Sequence, residues 1–443
     1  MSKKSLTFKI LIVFVMGALS SCGENQKSAS IDVHSLFLPD LNSLFENYDR
    51  VERNKQYSAF ANELVHANRD LKSSELYLEA ASLYYQGGTT DSVVPLLHKA
   101  IDEGMANPAI LKKFPGIRQH NSELLTKLSE RLDSISYKLK EIPHFTLEME
   151  AMNSFWPYFE KARNNPKKAK QFFKEYIFKG PQEIRDYYAV RYYSLENMYG
   201  QMINASPKYY GYLKEQFNSD STLALKKTTA KWMKQFKVLY PEAVFPKVYI
   251  VPGMLNSGGT VTDMGLFIGG DMYGRSENMP LEELSDWQKN AIMEISALPG
   301  IIMHELMHFQ QNYGDTEHEN MVIYKLIEEG VCDFVVELSS GMPLQNEQLN
   351  YLKDPLNFEK ITKELKEELF TEDLSKWMYN GGAIEDRPND LGYALGYLIS
   401  KSYYNKANDK QIAMFELLNT NSMISILKES DYAYLLDINS ESY

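Results

Sequence analysis

An apolar stretch that carries two histidines and a glutamate limits what this chain can fold into more than any other feature. Residues 301–309 read Ile-Ile-Met-His-Glu-Leu-Met-His-Phe, and Pro299 stands where a helix can begin. Residues four positions apart lie one turn apart on the same helix face, so His304 and His308 can direct their imidazoles to one point. Burying such groups is costly unless a partner satisfies them. A metal ion is one such partner, and the alternative is a pair of core histidines that the protein itself satisfies.

The spacing His-Glu-x-x-His predicts one Zn²⁺ ion. Imidazole nitrogens bind zinc at about 2.0–2.1 Å, and a catalytic zinc site has three protein ligands and an open position for water. Glu305 lies about 100° around the helix from His304. It can therefore touch that water without being an obvious ligand, and it is the candidate catalytic base. A third ligand is expected from a neighbouring helix.

The next predicted helix, residues 319–338, offers two candidates for the third ligand, Glu328 and Glu329. Glu329 lies 21 positions after His308, which leaves room for a turn and a returning helix. Helical periodicity does not choose between the two glutamates, and His318 in the preceding loop is a further possibility. The metzincin pattern is excluded, because it needs glycine and histidine where this chain has glutamine and glycine at positions 311 and 314.

These residues resemble the gluzincin clan of metallopeptidases. In that clan a second helix supplies a glutamate, often followed by glycine, and a residue four positions later often hydrogen-bonds the first histidine. Glu329 and Gly330 match the first feature, and Asp333 matches the second. The resemblance therefore implies Glu329 as the third ligand and Asp333 as the carboxylate that holds His304. A glycine inside a helix costs about 1 kcal/mol against alanine, so close backbone approach near the metal is the expected reason for Gly330.

A closer resemblance is to a family of bacterial proteins regarded as zinc-dependent peptidases and related to gliding-motility lipoproteins. It covers roughly residues 145–435, and the matching stretches are residues 256–260, 304–308, 329–334 and 392–397. It implies a gluzincin-like catalytic half and a hydrolase, and it does not supply a substrate.

The peptidase hypothesis gives roles to residues outside the motif. Tyr393 is a candidate donor to the oxyanion of the tetrahedral intermediate. Tyr397, four positions later, and Arg387 are candidates for substrate binding. Gly258 and Gly259 would let a peptide approach an edge strand and pair with its main chain, although a simple hairpin turn explains these glycines equally well.

The N-terminus predicts a lipoprotein. Three lysines precede an apolar run at residues 10–19, which is shorter than the about 20 residues that span a bilayer and fits a secretory signal. The run ends in Leu-Ser-Ser-Cys, which resembles the lipobox of bacterial lipoproteins. The resemblance implies cleavage after residue 21 and a lipid anchor on Cys22, whereas an ordinary signal peptide is the alternative. Gly23 is not the aspartate often linked to inner-membrane retention, which favours the outer membrane.

The charge of the chain argues against nucleic-acid binding. The net charge is −12, and removing residues 1–21 with their three lysines leaves −15, so the basic footprint of a nucleic-acid binder is missing. Anionic headgroups would also repel this protein, so acyl chains must anchor it. With only two cysteines, acylation of Cys22 excludes an intramolecular disulfide. Cys332 stands in an apolar run and is expected to be buried.

The pattern along the chain predicts a mainly α fold with a small antiparallel β-sheet. Residues 1–21 are the signal peptide, 22–35 a tether, 36–140 a helical region and 141–443 the metallopeptidase-like domain. Residues 74–86 and 92–103 form a helical hairpin that resembles a tetratricopeptide unit, although a stable array usually needs three repeats and a plain helical bundle is the alternative. Short β-branched runs near residues 248–251, 260–262 and 266–268 predict strands joined by glycine-rich turns.

Three functional hypotheses follow. The first is an active metallopeptidase that cleaves a peptide or protein. The second is a non-catalytic envelope or motility lipoprotein whose helical region recruits a protein partner. The third is a metal-dependent hydrolase of a non-peptide bond. A structural zinc site normally has four protein ligands, and the sequence offers three good ones, which favours catalysis.

Overall fold

The structure is a computed structural model and describes residues 32–117, 122–142, 146–217, 219–315, 318–380, 384 and 386–436. The predicted signal peptide and Cys22 lie outside these residues. The predicted fold class is confirmed, because helices make up most of the described chain and accompany one small sheet. Within these ranges, no helix combines the length and the apolar character that crossing a membrane requires.

The first six helices form the N-terminal helical region. They are α1 (Leu41–Phe45), α2 (Tyr48–Asn54), α3 (Tyr57–Leu71), α4 (Ser74–Gln86), α5 (Val93–Asp102) and α6 (Glu123–Leu139). Helix α4 begins where the hydroxyl of Ser73 accepts a hydrogen bond from the amide of Leu76, and it packs against α3 and α5. The helices α4 and α5 confirm the predicted hairpin to within a residue at each end. Its likeness to a tetratricopeptide unit stays a prediction.

Four short strands form a mixed sheet in the order β1-β2-β4-β3. They are β1 (Leu147–Glu148), β2 (Val248–Val251), β3 (Gly259–Val261) and β4 (Leu266–Gly269). Strands β3 and β4 are antiparallel, as expected, whereas β1 with β2 and β2 with β4 are parallel. The parallel pairing of β2 and β4 arises because the chain runs back along β3 between them. Strand β3 thereby becomes an edge of the sheet with one side open.

The remaining helices precede and follow the last three strands. Between β1 and β2 lie α7 (Glu150–Asn164), α8 (Ala169–Lys179), α9 (Glu183–Tyr187), α10 (Leu195–Tyr199), α11 (Pro207–Gln216) and α12 (Ser219–Leu239). After the sheet come α13 (Asp286–Ala291), α14 (Leu298–Gln310), α15 (Val322–Ser340), α16 (Glu347–Leu352), α17 (Pro355–Glu368), α18 (Leu391–Lys406), α19 (Lys410–Asn419) and α20 (Met423–Glu429). Helix α15 packs against α14 on one side and along α18 on another.

A buried carboxylate in α9 joins the N-terminal helical region to the rest of the chain. Oδ1 of Asp186 accepts hydrogen bonds from the hydroxyls of Ser73 and Ser74, at 2.6 and 3.2 Å, and from the amide of Glu75 at 3.1 Å. Burial raises the pKa of Asp186 to about 7, although these hydrogen bonds lower it. Burial also raises the pKa of Glu75, to about 8. Folding therefore favours the protonated forms of both acids.

A second joint lies at the turn between β3 and β4. The carbonyl oxygen of Asp263 accepts a hydrogen bond from the amide of Ala106 at 2.7 Å. Its carboxylate accepts from Asn107 Nδ2 at 2.7 Å and pairs with Lys113 Nζ at 2.8 Å. The N-terminal helical region therefore contacts the turn that directly follows the edge strand.

We predict that Asp186→Asn flattens the pH dependence of stability. As pH rises from about 4 to 7, the unfolded chain loses the Asp186 proton while the folded chain keeps it, so the wild type loses stability in that window. Between pH 5 and 8 this loss is about 2–3 kcal/mol, at 1.36 kcal/mol per pH unit. Asparagine keeps an acceptor for the serines and cannot ionise.

Urea unfolding at pH 5 and pH 8 measures this effect. Asp133→Asn, on the exposed face of α6, is the matched control and should retain the wild-type decline. An Asp186→Asn protein that declines as steeply as the wild type would contradict the assignment.

Candidate metal centre

Helix α14 carries the His-Glu-x-x-His motif and begins with Pro299 in its first turn. One face of the helix is packed into the core through Ile302, Met303, Leu306 and Met307. The opposite face directs His304, Glu305 and His308 into an open cavity of about 760 Å³. The two histidine side chains are 15% and 21% exposed, so they can be reached from solvent.

Glu329 of α15 lies between the two histidines. Its Oε2 atom is 3.2 Å from Nε2 of His304 and 3.3 Å from Nε2 of His308. Ligand atoms at about 2.0–2.1 Å from a tetrahedral zinc ion lie about 3.3 Å from one another. Both distances from the carboxylate oxygen to the imidazole nitrogens are therefore close to the spacing between ligands of one zinc ion. The three predicted ligands are brought together.

The other nitrogen of each histidine is held by a hydrogen bond. Nδ1 of His304 donates to Asp333 Oδ1 at 2.9 Å, and Nδ1 of His308 donates to Gln311 Oε1 at 2.8 Å. The amide of Gln311 is oriented in turn by a 2.6 Å bond from its Nε2 to the carbonyl of Glu328. Because Nδ1 of each ring donates to a neighbour, each Nε2 is the nitrogen that faces Glu329, where it can carry a proton hydrogen-bonded to the carboxylate or, once that proton is lost, bind a metal ion. Asp333 therefore lies where the sequence predicted it, whereas the role of Gln311 was missed because its spacing matches no ligand pattern.

The rival ligands lie elsewhere. Glu328 pairs with Lys325 at 2.8 Å, and His318 bonds to Asp315 at 2.6 Å. Cys332 is fully buried, as expected, and its sulfur comes within 4.8 Å of ligand atoms of both motif histidines. That sulfur is 3.6 Å from Nδ1 of His308, the nitrogen that already donates to the neighbouring glutamine. The sulfur is also 3.8 Å from Nε2 of His308, whereas the carboxylate of Glu329 is closer to that atom and contacts Nε2 of His304 as well.

The charges of the cluster reinforce one another. Burial by itself would raise the pKa of Glu329, but hydrogen bonds from both histidines hold it well below its usual range. Burial would lower the pKa of His304, but its bonds to Asp333 and Glu329 outweigh burial and raise it. The carboxylate of Glu329 is therefore favoured in its anionic form, and the two imidazoles that face it are favoured in their cationic forms. A divalent cation supplies that charge at one point.

Glu305 lies against the edge strand. A Cβ atom at Gly259 would be 2.5 Å from Oε1 of Glu305, and one at Gly258 would be 2.7 Å from the hydroxyl of Tyr273. Both glycines line the cavity, and the close approaches seen there are to protein side chains, so their role in binding a peptide stays a prediction. Burial raises the pKa of Glu305, and the neighbouring histidines partly offset this.

Two tyrosines complete the cavity wall. Tyr393 of α18 stacks on the ring of His304, with centroids 6.3 Å apart. Tyr379 donates its hydroxyl to Oε1 of Glu329 at 2.9 Å, and its backbone is in the left-handed region with φ 56°. Burial raises the pKa of both phenols, so both stay protonated donors at neutral pH. The sequence analysis named Tyr393 but missed Tyr379, because a single tyrosine among 30 carries no signal of its own.

Arg387 and Tyr397, predicted to bind substrate, do not line this cavity. The guanidinium of Arg387 is 6% exposed, pairs with Glu364 at 2.7 Å and lies over the ring of Trp377. The phenol of Tyr397 donates to Glu337 and accepts from Lys401. Both side chains are engaged in contacts that stabilise the packing of the C-terminal helices.

The part of the chain that contains this site matches a known protein family. A family model described as gliding motility protein GldB matches residues 136–434. The chain belongs to the GldB family. The match covers every residue of the metal cluster and supports association of this GldB-family protein with the cell envelope and with protein partners there. The comparisons found no similar curated protein and no similar solved structure.

The ligand helix of this GldB-family chain crosses α18 at two glycines. A Cβ atom at Gly330 would overlap the backbone of Gly396 and Tyr397, and one at Gly396 would overlap the carbonyl of Leu326. Backbone atoms cannot move aside as a flexible side chain can. The close approach expected at Gly330 is therefore an approach to α18, and it places Glu329 and Tyr393 on facing helices.

We predict that Gly330→Ala destabilises the fold by about 3 kcal/mol or more, because the added methyl group forces α15 and α18 apart. The matched control is Gly300→Ala in α14, where no atom lies within 4 Å of the added Cβ. That change should stabilise the helix by up to about 1 kcal/mol. Urea unfolding of both variants measures the difference, and equal midpoints would argue against the close crossing.

Proposed function

We propose that this GldB-family protein is a zinc-dependent peptide hydrolase, anchored to the cell envelope by a lipid on Cys22. One observation carries the proposal: in an open cavity, one carboxylate oxygen lies at zinc-ligand spacing from the Nε2 atoms of both motif histidines. Three protein ligands leave a position for water, as catalytic zinc sites do.

Glu305 is the proposed catalytic base. A zinc ion, when bound, would supply Lewis-acid activation of water and of the substrate carbonyl. The carboxylate of Glu305 accepts a proton from the water as its oxygen attacks the carbonyl carbon, and it returns the proton to the amine as the C–N bond breaks. The raised pKa of Glu305 suits a group that must both take and give a proton.

The two cavity tyrosines are the proposed donors to the developing negative charge. Protonated phenols next to the ligand cluster can stabilise an oxyanion that water in the open cavity would stabilise less well. Tyr393 is fixed by its stacking on His304. Tyr379 is tied to Glu329 and lies in the left-handed region, and backbone strain of this kind is common at functional sites.

The edge strand β3 is the proposed peptide-binding element. Gly258 and Thr262 bond across to β4, so the alternate residues Gly259 and Val261 direct their backbone groups away from the sheet. The carbonyl of Gly259 already accepts from the hydroxyls of Ser257 and Thr260. The amides of Gly259 and Val261 and the carbonyl of Val261 are therefore the groups that a substrate strand would meet.

A non-catalytic role in the envelope is the second candidate, and the family match favours it. The family is described by motility and not by hydrolysis, so membership supports the motility alternative more directly than it supports a peptidase. In that case the metal would fix the contact between α14 and α15, and the N-terminal helical region would bind a protein partner.

We predict that the wild type binds about one zinc ion and that Glu329→Gln binds it at least about a hundredfold more weakly, because an amide oxygen lacks the carboxylate charge. Glu328→Gln is the matched control, since the adjacent glutamate pairs with Lys325 instead, and it should bind zinc as the wild type does. Competition with a chromophoric chelator gives the affinities. Zinc loss in the control and not in Glu329→Gln would reverse the ligand assignment.

We predict that Glu305→Gln keeps its zinc and loses about 10²–10⁴-fold in peptide cleavage, the usual contribution of a catalytic base. Cleavage of a mixed peptide library, followed by mass spectrometry, measures this. Glu328→Gln again serves as the control and should cleave normally. A zinc-loaded wild type that cleaves no peptide would favour the non-catalytic candidate.

A further inference from the structure

Arg191 lies in the wall of the metal cavity beside β3. Its Nε donates to the hydroxyl of Thr260 at 2.7 Å, and this bond holds the guanidinium next to the edge strand. Among the described residues that line the cavity it is the one lysine or arginine. Among the described residues no carboxylate forms an ion pair with its guanidinium, although its charge acts on the nearby Glu305 and lowers the pKa of that carboxyl.

The backbone at Arg191 is irregular. The residue lies in a π-helical segment, Tyr188–Tyr192, and the next residue, Tyr193, has φ 59°. π-helical turns interrupt helices at a cost and occur frequently at functional sites, and a non-glycine residue in the left-handed region adds strain. A continuous α-helix would avoid both costs and would direct residue 191 elsewhere.

The irregular segment is fixed on both sides. The hydroxyl of Tyr188 donates to the carbonyl of Pro39 at 2.6 Å, and that of Tyr192 donates to the carbonyl of Pro252. The carbonyl of Tyr193 accepts from the amide of Leu41 at 2.8 Å. Arg191 is therefore held on a rigid support, as a residue that selects a ligand must be.

We propose that Arg191 binds a substrate carboxylate next to the bond that is cut, so that the enzyme selects acidic peptides or free C-termini. The inference rests on the proposed hydrolase function. A guanidinium offers parallel N–H groups that match the two oxygens of a carboxylate. An aspartate or glutamate side chain and a terminal carboxylate share this chemistry.

The charges of the cavity explain why one arginine can set the position of such a substrate. The acidic side chains that line the cavity are those of Glu305, Glu329, Asp333 and Asp390. A substrate carboxylate placed near any of them is repelled, so Arg191 is the lining side chain with which it can pair. The pair then fixes which peptide bond lies at the metal cluster.

Binding to the Glu305→Gln protein tests the proposal without requiring turnover. The probes are three fluorescein-labelled octapeptide mixtures. The first has a central glutamate and an amidated C-terminus, and the second has a central glutamine and an amidated C-terminus. The third has a central glutamine and a free C-terminus. Fluorescence anisotropy should give a dissociation constant about tenfold to a hundredfold lower for a carboxylate mixture than for the neutral one, as expected for a charge-assisted bond. The mixture that is preferred identifies the source of the carboxylate.

Three further variants locate the effect. Adding Arg191→Gln should bring the ratio of the dissociation constants to about one. Adding Arg163→Gln, which removes an arginine that pairs with Glu160 on α7 outside the cavity, should leave the ratio unchanged. Thr260→Val keeps the charge of Arg191 but removes its hydroxyl partner, and should reduce the ratio in part. Circular dichroism melting confirms that each variant folds.

The inference and the hydrolase proposal fail separately. Equal affinity for all three mixtures, or discrimination that survives Arg191→Gln, overturns the role of Arg191 even if the wild type cleaves peptides. Discrimination that depends on Arg191, together with no cleavage by the zinc-loaded wild type, upholds the carboxylate site and removes the hydrolase.

Discussion

The contact of Glu329 with both motif histidines is the interaction on which the site depends. It links α14 to α15, and it brings together three groups that folding would otherwise have no reason to bury side by side. Neighbouring contacts hold the side chains and the helix of this cluster in place. Asp333 and Gln311 fix the imidazoles, and the glycine crossing with α18 fixes the helix that carries the glutamate.

The opposite wall of the cavity depends on a different buried acid. Asp271 is fully buried below the loop that leads into β3, and its Oδ2 accepts from the amide of Leu255. Tyr273 adds a hydrogen bond to the carbonyl of Gly258 at 3.2 Å. The edge strand is therefore supported where it faces the two histidines and Glu329, and the cavity lies between a wall of helices and a wall of sheet.

The sequence could predict what depends on local spacing. A periodicity of four places His304 beside His308. Periodicity did not choose between Glu328 and Glu329, and the resemblance to the gluzincins indicated Glu329. It could not predict contacts that arise from irregular backbone, such as Tyr379 at φ 56° or Arg191 in a π-helical turn. Arg387 shows the opposite case, since an arginine near the site in sequence has its charge and its planar face engaged by Glu364 and Trp377. The parallel pairing of β2 and β4 was also missed, because it depends on where the chain crosses between strands.

The joint at Asp263 links the N-terminal helical region to the part of the chain that matches the family. The family match starts at residue 136, yet the turn after the edge strand is fastened by Ala106 and Lys113. A second cavity bounded by Lys113, Val261 and His308 runs between these parts. The stretch that precedes the family match therefore forms one side of a cavity whose other side includes a motif histidine, and a change in that stretch would alter the surroundings of helix α14 without touching the matched region.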